Sequence, residues 1–172
     1  GYVPVPLPAS IHLGGHKAYV EQLRGLLEKS QAAIAVAPPE FLSFLREAAQ
    51  GLGLALVGGP ETFDKLPKLD SELLPLQSGE TAYLQYTSGS TRFPRGVMVS
   101  EAAVMHNLSG IIKNGLRVRS GDRCISWLPY YHDMGLIGFV LAPLASQVSV
   151  DFLSTRDFAM RPRLWLSMMT RN

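Results

Sequence analysis

Residues 87–91 read Thr87, Ser88, Gly89, Ser90 and Thr91, four hydroxyl side chains around one glycine. Arg92, Phe93, Pro94 and Arg95 follow, and Gly96 closes the run. Backbone N–H groups beside glycine approach an anion closely, hydroxyls donate further hydrogen bonds, and guanidinium groups add charge. Such a turn is suited to holding a polyanion. Three familiar alternatives do not fit. A Walker loop needs Lys and Ser/Thr after its last glycine, and Gly96 is followed by Val97. Gly51, Gly53 and Gly58 miss the G-x-G-x-x-G spacing of a dinucleotide fold. Neither Ser88 nor Ser90 sits in a G-x-S-x-G elbow, so both are poor candidates for a hydrolase nucleophile. A second cluster runs from Ser126 through Trp127, Leu128, Pro129, Tyr130, Tyr131, His132, Asp133, Met134 and Gly135 to Leu136. His132 and Asp133 lack a third ligand at helical or hairpin spacing and so do not form a metal site. His132 is either a hydrogen-bonded structural histidine or a site residue. Asp133 is either the cap of the following helix or an acid–base group.

The run from Tyr86 to Gly96 resembles the phosphate loop of the adenylate-forming superfamily, the group of acyl-CoA synthetases, luciferases and peptide-synthetase adenylation domains. The family pattern is roughly Y-T-S-G-S/T-T-G-x-P-K-G. Tyr86, Thr87, Ser88, Gly89, Ser90, Thr91, Pro94 and Gly96 match it. Arg92 stands where glycine is usual and removes easy access to positive φ. Arg95 stands where lysine is usual; it still pairs with phosphate but is bulkier and stiffer. Residues 126–136 resemble the family's aromatic-His segment beside the acyl or amino-acid pocket. Their W-L-P-x-Y-H-D-M-G-L form is similar to one branch, the fatty acyl-AMP ligases. Arg92 after Thr91 and the opening Tyr2-Val3-Pro4-Val5-Pro6-Leu7-Pro8 are similar to that branch too. Glu101 stands where the family often has histidine.

The resemblance implies an α/β fold of parallel-rich sheets flanked by helices, a partial N-terminal domain of an adenylate-forming enzyme. Residues 1–172 would be a central fragment of that AMP-binding domain, with the C-terminal domain absent and the fragment alone inactive. The implied reaction joins a fatty acid and ATP, with Mg2+, into an acyl-adenylate plus pyrophosphate. Transfer of the acyl group to an acyl carrier protein in polyketide or lipopeptide assembly would follow. The alternatives are coenzyme A as acceptor, in a long-chain acyl-CoA synthetase, and a nucleotide-binding module without chemistry. The implied phosphate contacts are Thr87, Ser88, Gly89, Ser90, Thr91, Arg95 and Gly96. The implied acyl pocket is Trp127, Tyr130, Tyr131, His132 and Met134, with His132 the one catalytic candidate; an aromatic–Met cluster of this kind equally suits plain core.

Composition sets outer bounds. With 47% hydrophobic and 17% charged residues the chain is of ordinary globular type. A net charge of +2 gives no electrostatic case for nucleic acid. Its distribution is more telling. Residues 1–86 hold six basic and nine acidic groups, and residues 87–172 hold ten and five, so the half with the hydroxyl-rich turn suits an anionic ligand. No apolar run reaches the roughly 18 residues of a membrane span. No basic-then-apolar leader opens the sequence, so the expected location is cytoplasmic. Cys124 is the single cysteine, which excludes an internal disulfide, and its apolar surroundings point to a buried, inert thiol. His12, His16 and His106 suggest no task.

These groups must be positioned by regular elements. Tyr19, Val20, Leu23, Leu26 and Leu27 recur at helical spacing and predict a helix over 17–29. A short buried strand over 32–37 follows. A helix then opens at Pro39 and runs to Gln50, with Phe41, Leu42, Phe44, Leu45 and Ala48 inward and Gly51 and Gly53 ending it. Residues 54–57 form the next strand, and the alternation argues for parallel α/β packing. Residues 58–79 show no period and read as a long surface connection. Residues 81–87 form the strand that feeds the turn, and 97–99 its hairpin partner. Ser100 caps a helix with Val104, Met105, Leu108, Ile111 and Ile112 inward. Strands over 123–128 and 148–153, a helix from Asp133 to Leu144, and a last helix over 163–169 complete the reading.

Overall fold

The computed structural model describes residues 1–9, 15–67, 72, 74–87 and 94–170. It divides into two compact units, one from Leu7 to Pro75 and one formed by Gly1–Pro6 with Leu76–Asn172.

The first unit alternates helix and strand: α1 Gly15–Lys29, β1 Ile34–Val36, α2 Pro39–Ala49, β2 Leu56–Gly58 and α3 Pro60–Asp64. Strands β1 and β2 pair in parallel, Ile34 opposite Leu56 and Val36 opposite Gly58. The expected apolar stripe of α1 is the buried one, Tyr19, Val20, Leu23, Leu26 and Leu27. It packs with Ala35, Leu45 and Ala48, and Phe41 and Phe44 cover the edge. Tyr19 meets Phe44 edge-on, ring centroids 5.4 Å apart, and its hydroxyl donates to Pro8 O at 3.1 Å. Pro39 occupies the first turn of α2, where its missing N–H is not needed. Gly51, at φ 76°, supplies the left-handed turn after it. Arg24 donates to Gln50 O at 2.7 Å, satisfying a carbonyl just past the end of α2. The connection expected over 58–79 contains α3, whose five residues are too few to display a period.

The second unit is built on a hairpin, β3 Thr81–Thr87 and β4 Arg95–Ser100, paired antiparallel. The proline-rich opening lies beside it, Leu84 N donating to Pro4 O at 3.0 Å. Helix α4, Glu101–Ser109, begins at Ser100, whose hydroxyl accepts from Ala103 N. Its first two amides donate to Glu80 O and Ser78 O, so its N-terminus carries no orphan donors at these positions. The helix widens into a π-helical turn over Gly110–Gly115. Of the inward set, Leu108 is buried but Met105 is 54% exposed. Val104, Leu108 and Ile111 form the stripe centre, and Met105 sits a step of about 100° round from Val104.

Next come β5 Arg123–Ser126, a π-helical stretch Met134–Leu141, α5 Ala142–Ser146, β6 Ser149–Phe152, α6 Thr155–Met160 and α7 Arg163–Thr170. Strands β5 and β6 are parallel, so two of the three ladders among the described residues are, and the fold is mixed α/β with parallel sheets and flanking helices. Helix α6 was not expected. Its signal is local: Ser154 Oγ accepts from Asp157 N at 2.9 Å and donates to the Asp157 carboxylate at 2.6 Å. The helix expected from Asp133 starts there, but with the wider π spacing. No helix among the described residues is long and apolar enough to cross a membrane.

Cys124 is half-buried on β5. Burial pushes its thiol up, and the Asp122 carboxylate pushes the same way. Less thiolate is then present at a given pH than in the unfolded chain. At pH 8 native protein is expected to react with iodoacetamide more slowly than urea-unfolded protein. Equal rates measured by mass spectrometry would contradict this.

Candidate functional site

The hairpin sets the ends of the hydroxyl-rich turn. Thr87 faces Arg95 in its last pair, and Tyr86 faces Gly96. Thr87 Oγ1 donates back to Arg95 O at 3.4 Å. A side chain at Gly96 would press on Leu84 and the Tyr86 ring at 3.2 Å, so the glycine lets those side chains lie flat across the ladder. Thr87 and Arg95 are exposed, and no carboxylate pairs with Arg95 among the described residues. Ser88, Gly89, Ser90 and Thr91, with Arg92 and Phe93, lie outside the described residues. Of the expected phosphate group, then, the structure places Thr87, Arg95 and Gly96.

The second cluster leaves β5 at Ser126, a 2% exposed serine whose hydroxyl accepts from Leu128 N at 3.1 Å. His132 N donates to Pro129 O at 3.2 Å, and Leu136 N to His132 O at 2.8 Å. The turn is tight: Gly135 packs on the Pro129 carbonyl with no room for a Cβ. His132 Nδ1 lies 2.6 Å from Asp133 Oδ1, which also accepts from Met134 N at 2.7 Å. Asp133 thus caps the helix that follows. With the ring proton on Nδ1, Nε2 is the atom offered to a ligand.

Strand β3 joins the two clusters. Gln85 Nε2 donates to Tyr131 O at 3.4 Å across 46 positions of sequence. Tyr83, two residues earlier on the same strand face, is buried. Burial raises its hydroxyl pKa and the nearby Asp133 carboxylate raises it further, whereas Tyr86 is raised by burial alone. Sequence reasoning passed over both Tyr83 and Gln85. The available signal was a polar amide at an inward position of an alternating strand.

The residues assigned to an acyl pocket divide. Trp127 stacks flat on Phe158 of α6, centroids 3.9 Å apart, and its carbonyl accepts from Thr155 Oγ1 at 2.9 Å. Tyr130 meets Phe152 edge-on at 5.1 Å. Tyr130 and Met134 are 52% and 60% exposed, while Tyr131 is half-buried. Two open concavities of about 450 and 360 Å³ are lined by Met160–Ser167 and by residues of 112–121 and 146–148. Neither includes a residue of either cluster. Among the described residues no three His, Cys, Asp or Glu side chains stand together as a metal site. His16 on α1 pairs with Glu47 on α2 at 2.6 Å, His106 Nδ1 donates to Ala102 O one turn back at 2.7 Å, and His12 lies outside the described residues.

A family model described as AMP-binding enzyme matches residues 2–172. A Caulobacter vibrioides protein named as a candidate acyl-CoA synthetase is 43% identical over all of this chain and 30% of its own length. JamA of Moorena producens, a medium-chain-fatty-acid–[acyl-carrier-protein] ligase, is 30% identical over 98% of this chain and 28% of its own. Among solved structures, one from work on the fatty acyl-adenylate ligases of E. coli and L. pneumophila is 45% identical, with a TM-score of 0.92 over all of this chain and 31% of that one. The L. pneumophila fatty acyl-adenylate ligase in complex with acyl adenylate and pyrophosphate is 27% identical, with a TM-score of 0.79 over 99% and 29%. The chain therefore spans about 30% of the length of the relatives it matches.

Proposed function

The chain belongs to the AMP-binding enzyme family, and from that premise we propose that the intact polypeptide carrying it is a fatty acyl-AMP ligase. A fatty carboxylate oxygen attacks the α-phosphorus of ATP, the bond to pyrophosphate breaks, and acyl-adenylate forms. The thiol of an acyl carrier protein then gives up its proton and attacks the acyl carbon, the bond to the AMP oxygen breaks, and a thioester and AMP result. Negative charge grows on the leaving pyrophosphate, so catalysis is chiefly positioning and charge neutralisation. In this reading Thr87, Ser88, Gly89, Ser90, Thr91 and Gly96 hold the β- and γ-phosphates, and Arg95 adds charge at the mouth of the turn. Trp127, Tyr130, Tyr131, His132 and Met134 form the acid end. Mg2+, when bound, neutralises phosphate charge; it would take most of its ligands from the triphosphate and water.

One observation supports the reading above the others. Strand β3 enters the hydroxyl-rich turn at Thr87 and, at Gln85, touches the backbone of the aromatic-His segment. This supports a reading in which a nucleotide end and an acid end share one ladder. ATP–pyrophosphate exchange by the intact polypeptide tests it: exchange should depend on added fatty acid. ATP binding without exchange would favour a nucleotide-binding module that has no chemistry. Coenzyme A is the alternative acceptor, favoured by the name of the Caulobacter relative, as the carrier protein is by that of JamA. Product analysis with coenzyme A or holo-carrier protein separates the two.

Met134 gives a further expectation. Met134→Trp, at a 60% exposed position beside His132, should shorten the channel and lower activity on the longest acids roughly tenfold or more relative to short ones. An unchanged chain-length profile would remove Met134 from the channel.

A further inference from the structure

We propose that Gln85 is a positioning residue for the activation step: from inside the strand that feeds the phosphate turn it holds the Tyr131 carbonyl, and through it the His132–Asp133 pair. The inference rests on the function proposed above. It starts from an oddity of β3. Gln85 is 9% exposed at an inward position, where an apolar side chain would leave no polar group to satisfy. Its amide donates to Tyr131 O at 3.4 Å, in a segment with no strand or helix of its own.

That segment needs external support. Trp127 is anchored by Thr155 Oγ1 on its carbonyl at 2.9 Å and by its stack on Phe158, whereas from Tyr130 to Asp133 the backbone bonds other than the Gln85 contact are local, His132 N to Pro129 O at 3.2 Å and Leu136 N to His132 O at 2.8 Å. His132 and Asp133 are exposed, so packing alone does not fix them. Strand β3 braces them from one face: Gln85 grips the carbonyl before His132, and Tyr83 places its ring in the field of the Asp133 carboxylate. The strand is stiff because its five residues from Tyr83 to Thr87 pair with β4 in one unbroken register. Two residues beyond Gln85, about 7 Å along the strand, Thr87 opens the phosphate turn. One amide thus sets the spacing between the residues that meet the acid and those that meet the triphosphate.

The test compares wild type with Gln85→Met, which keeps the length and removes the donor, in the intact polypeptide. KM for the fatty acid should rise about tenfold, while KM for ATP stays within twofold. A role in folding alone would lower apparent kcat through the fraction of active protein and leave both KM values unchanged. Hydrogen–deuterium exchange of the ligand-free protein should also quicken across residues 130–136 and stay unchanged in α1 and α2. An unchanged KM for the acid in an active enzyme, or unchanged exchange across 130–136, overturns the proposal. If the wild type shows no acid-dependent pyrophosphate exchange, it is the proposed function that fails. The hydrogen-exchange comparison then decides the positioning role by itself.

Discussion

Replacing Arg95 with alanine in the intact polypeptide is expected to lower kcat/KM for ATP in pyrophosphate exchange by roughly 10- to 150-fold. A hydrogen bond to a charged group contributes about 1.5–3 kcal/mol, and each 1.4 kcal/mol is about tenfold. Arg95 is exposed at the mouth of the turn, opposite Thr87, without a carboxylate partner among the described residues. Its backbone, not its side chain, makes the ladder, so truncation should change stability by no more than about 0.5 kcal/mol. The loss should fall on kcat as well as on KM for ATP, because the β- and γ-phosphates gain negative charge as they depart as pyrophosphate. KM for the fatty acid should move little, which distinguishes Arg95 from Gln85. Arg95→Lys keeps the charge and loses only the fork, so most of the activity should return. Wild-type exchange rates in Arg95→Ala would remove this residue from the phosphate site. The companion variant Thr91→Ala should also lose exchange if the turn holds the triphosphate.

Much of this architecture is legible in local patterns, and the remainder is not because its causes are short or distant. Helix α1 is long and strictly periodic, so its buried stripe can be read one residue at a time. The β3–β4 hairpin is legible because two β-rich runs flank a turn full of glycine and hydroxyls. Helices α3 and α6 span five and six residues, under two turns, and no period can emerge from them. Phe158 was therefore missed, and with it the reason Trp127 is held flat. The stretch Met134–Leu141 is apolar nearly throughout and gives no clue to its π spacing. At the candidate site, each of the two motifs is legible by itself. What joins them is a single amide reaching 46 residues along the chain, and no local pattern carries that information.

The other large effect belongs to Gly135. Gly135→Ala would put its Cβ onto the Pro129 carbonyl oxygen, 2.9 Å from the Pro129 carbonyl carbon and 3.4 Å from that of Leu128. Those atoms are backbone, and they belong to the turn that carries His132 N onto Pro129 O. No side-chain rotation relieves the contact, so either the turn opens or the start of the Met134–Leu141 helix shifts. Overpacking of this kind costs about 1–3 kcal/mol, and a purely backbone clash belongs at the upper end. Gly138 lies three residues on in the same helical stretch, and a Cβ there meets nothing within 4 Å. Gly138→Ala should therefore be neutral, or stabilising by up to about 1 kcal/mol from the lost freedom of glycine in the unfolded chain. In matched melts of the intact polypeptide, Gly135→Ala should lower the midpoint by several degrees and Gly138→Ala should not. In pyrophosphate exchange, Gly135→Ala should also lose activity with the fatty acid well below its melting range, because moving Pro129 moves His132. Equal tolerance of alanine at both glycines would mean that the turn relaxes freely, and that the placement of His132 does not depend on this contact.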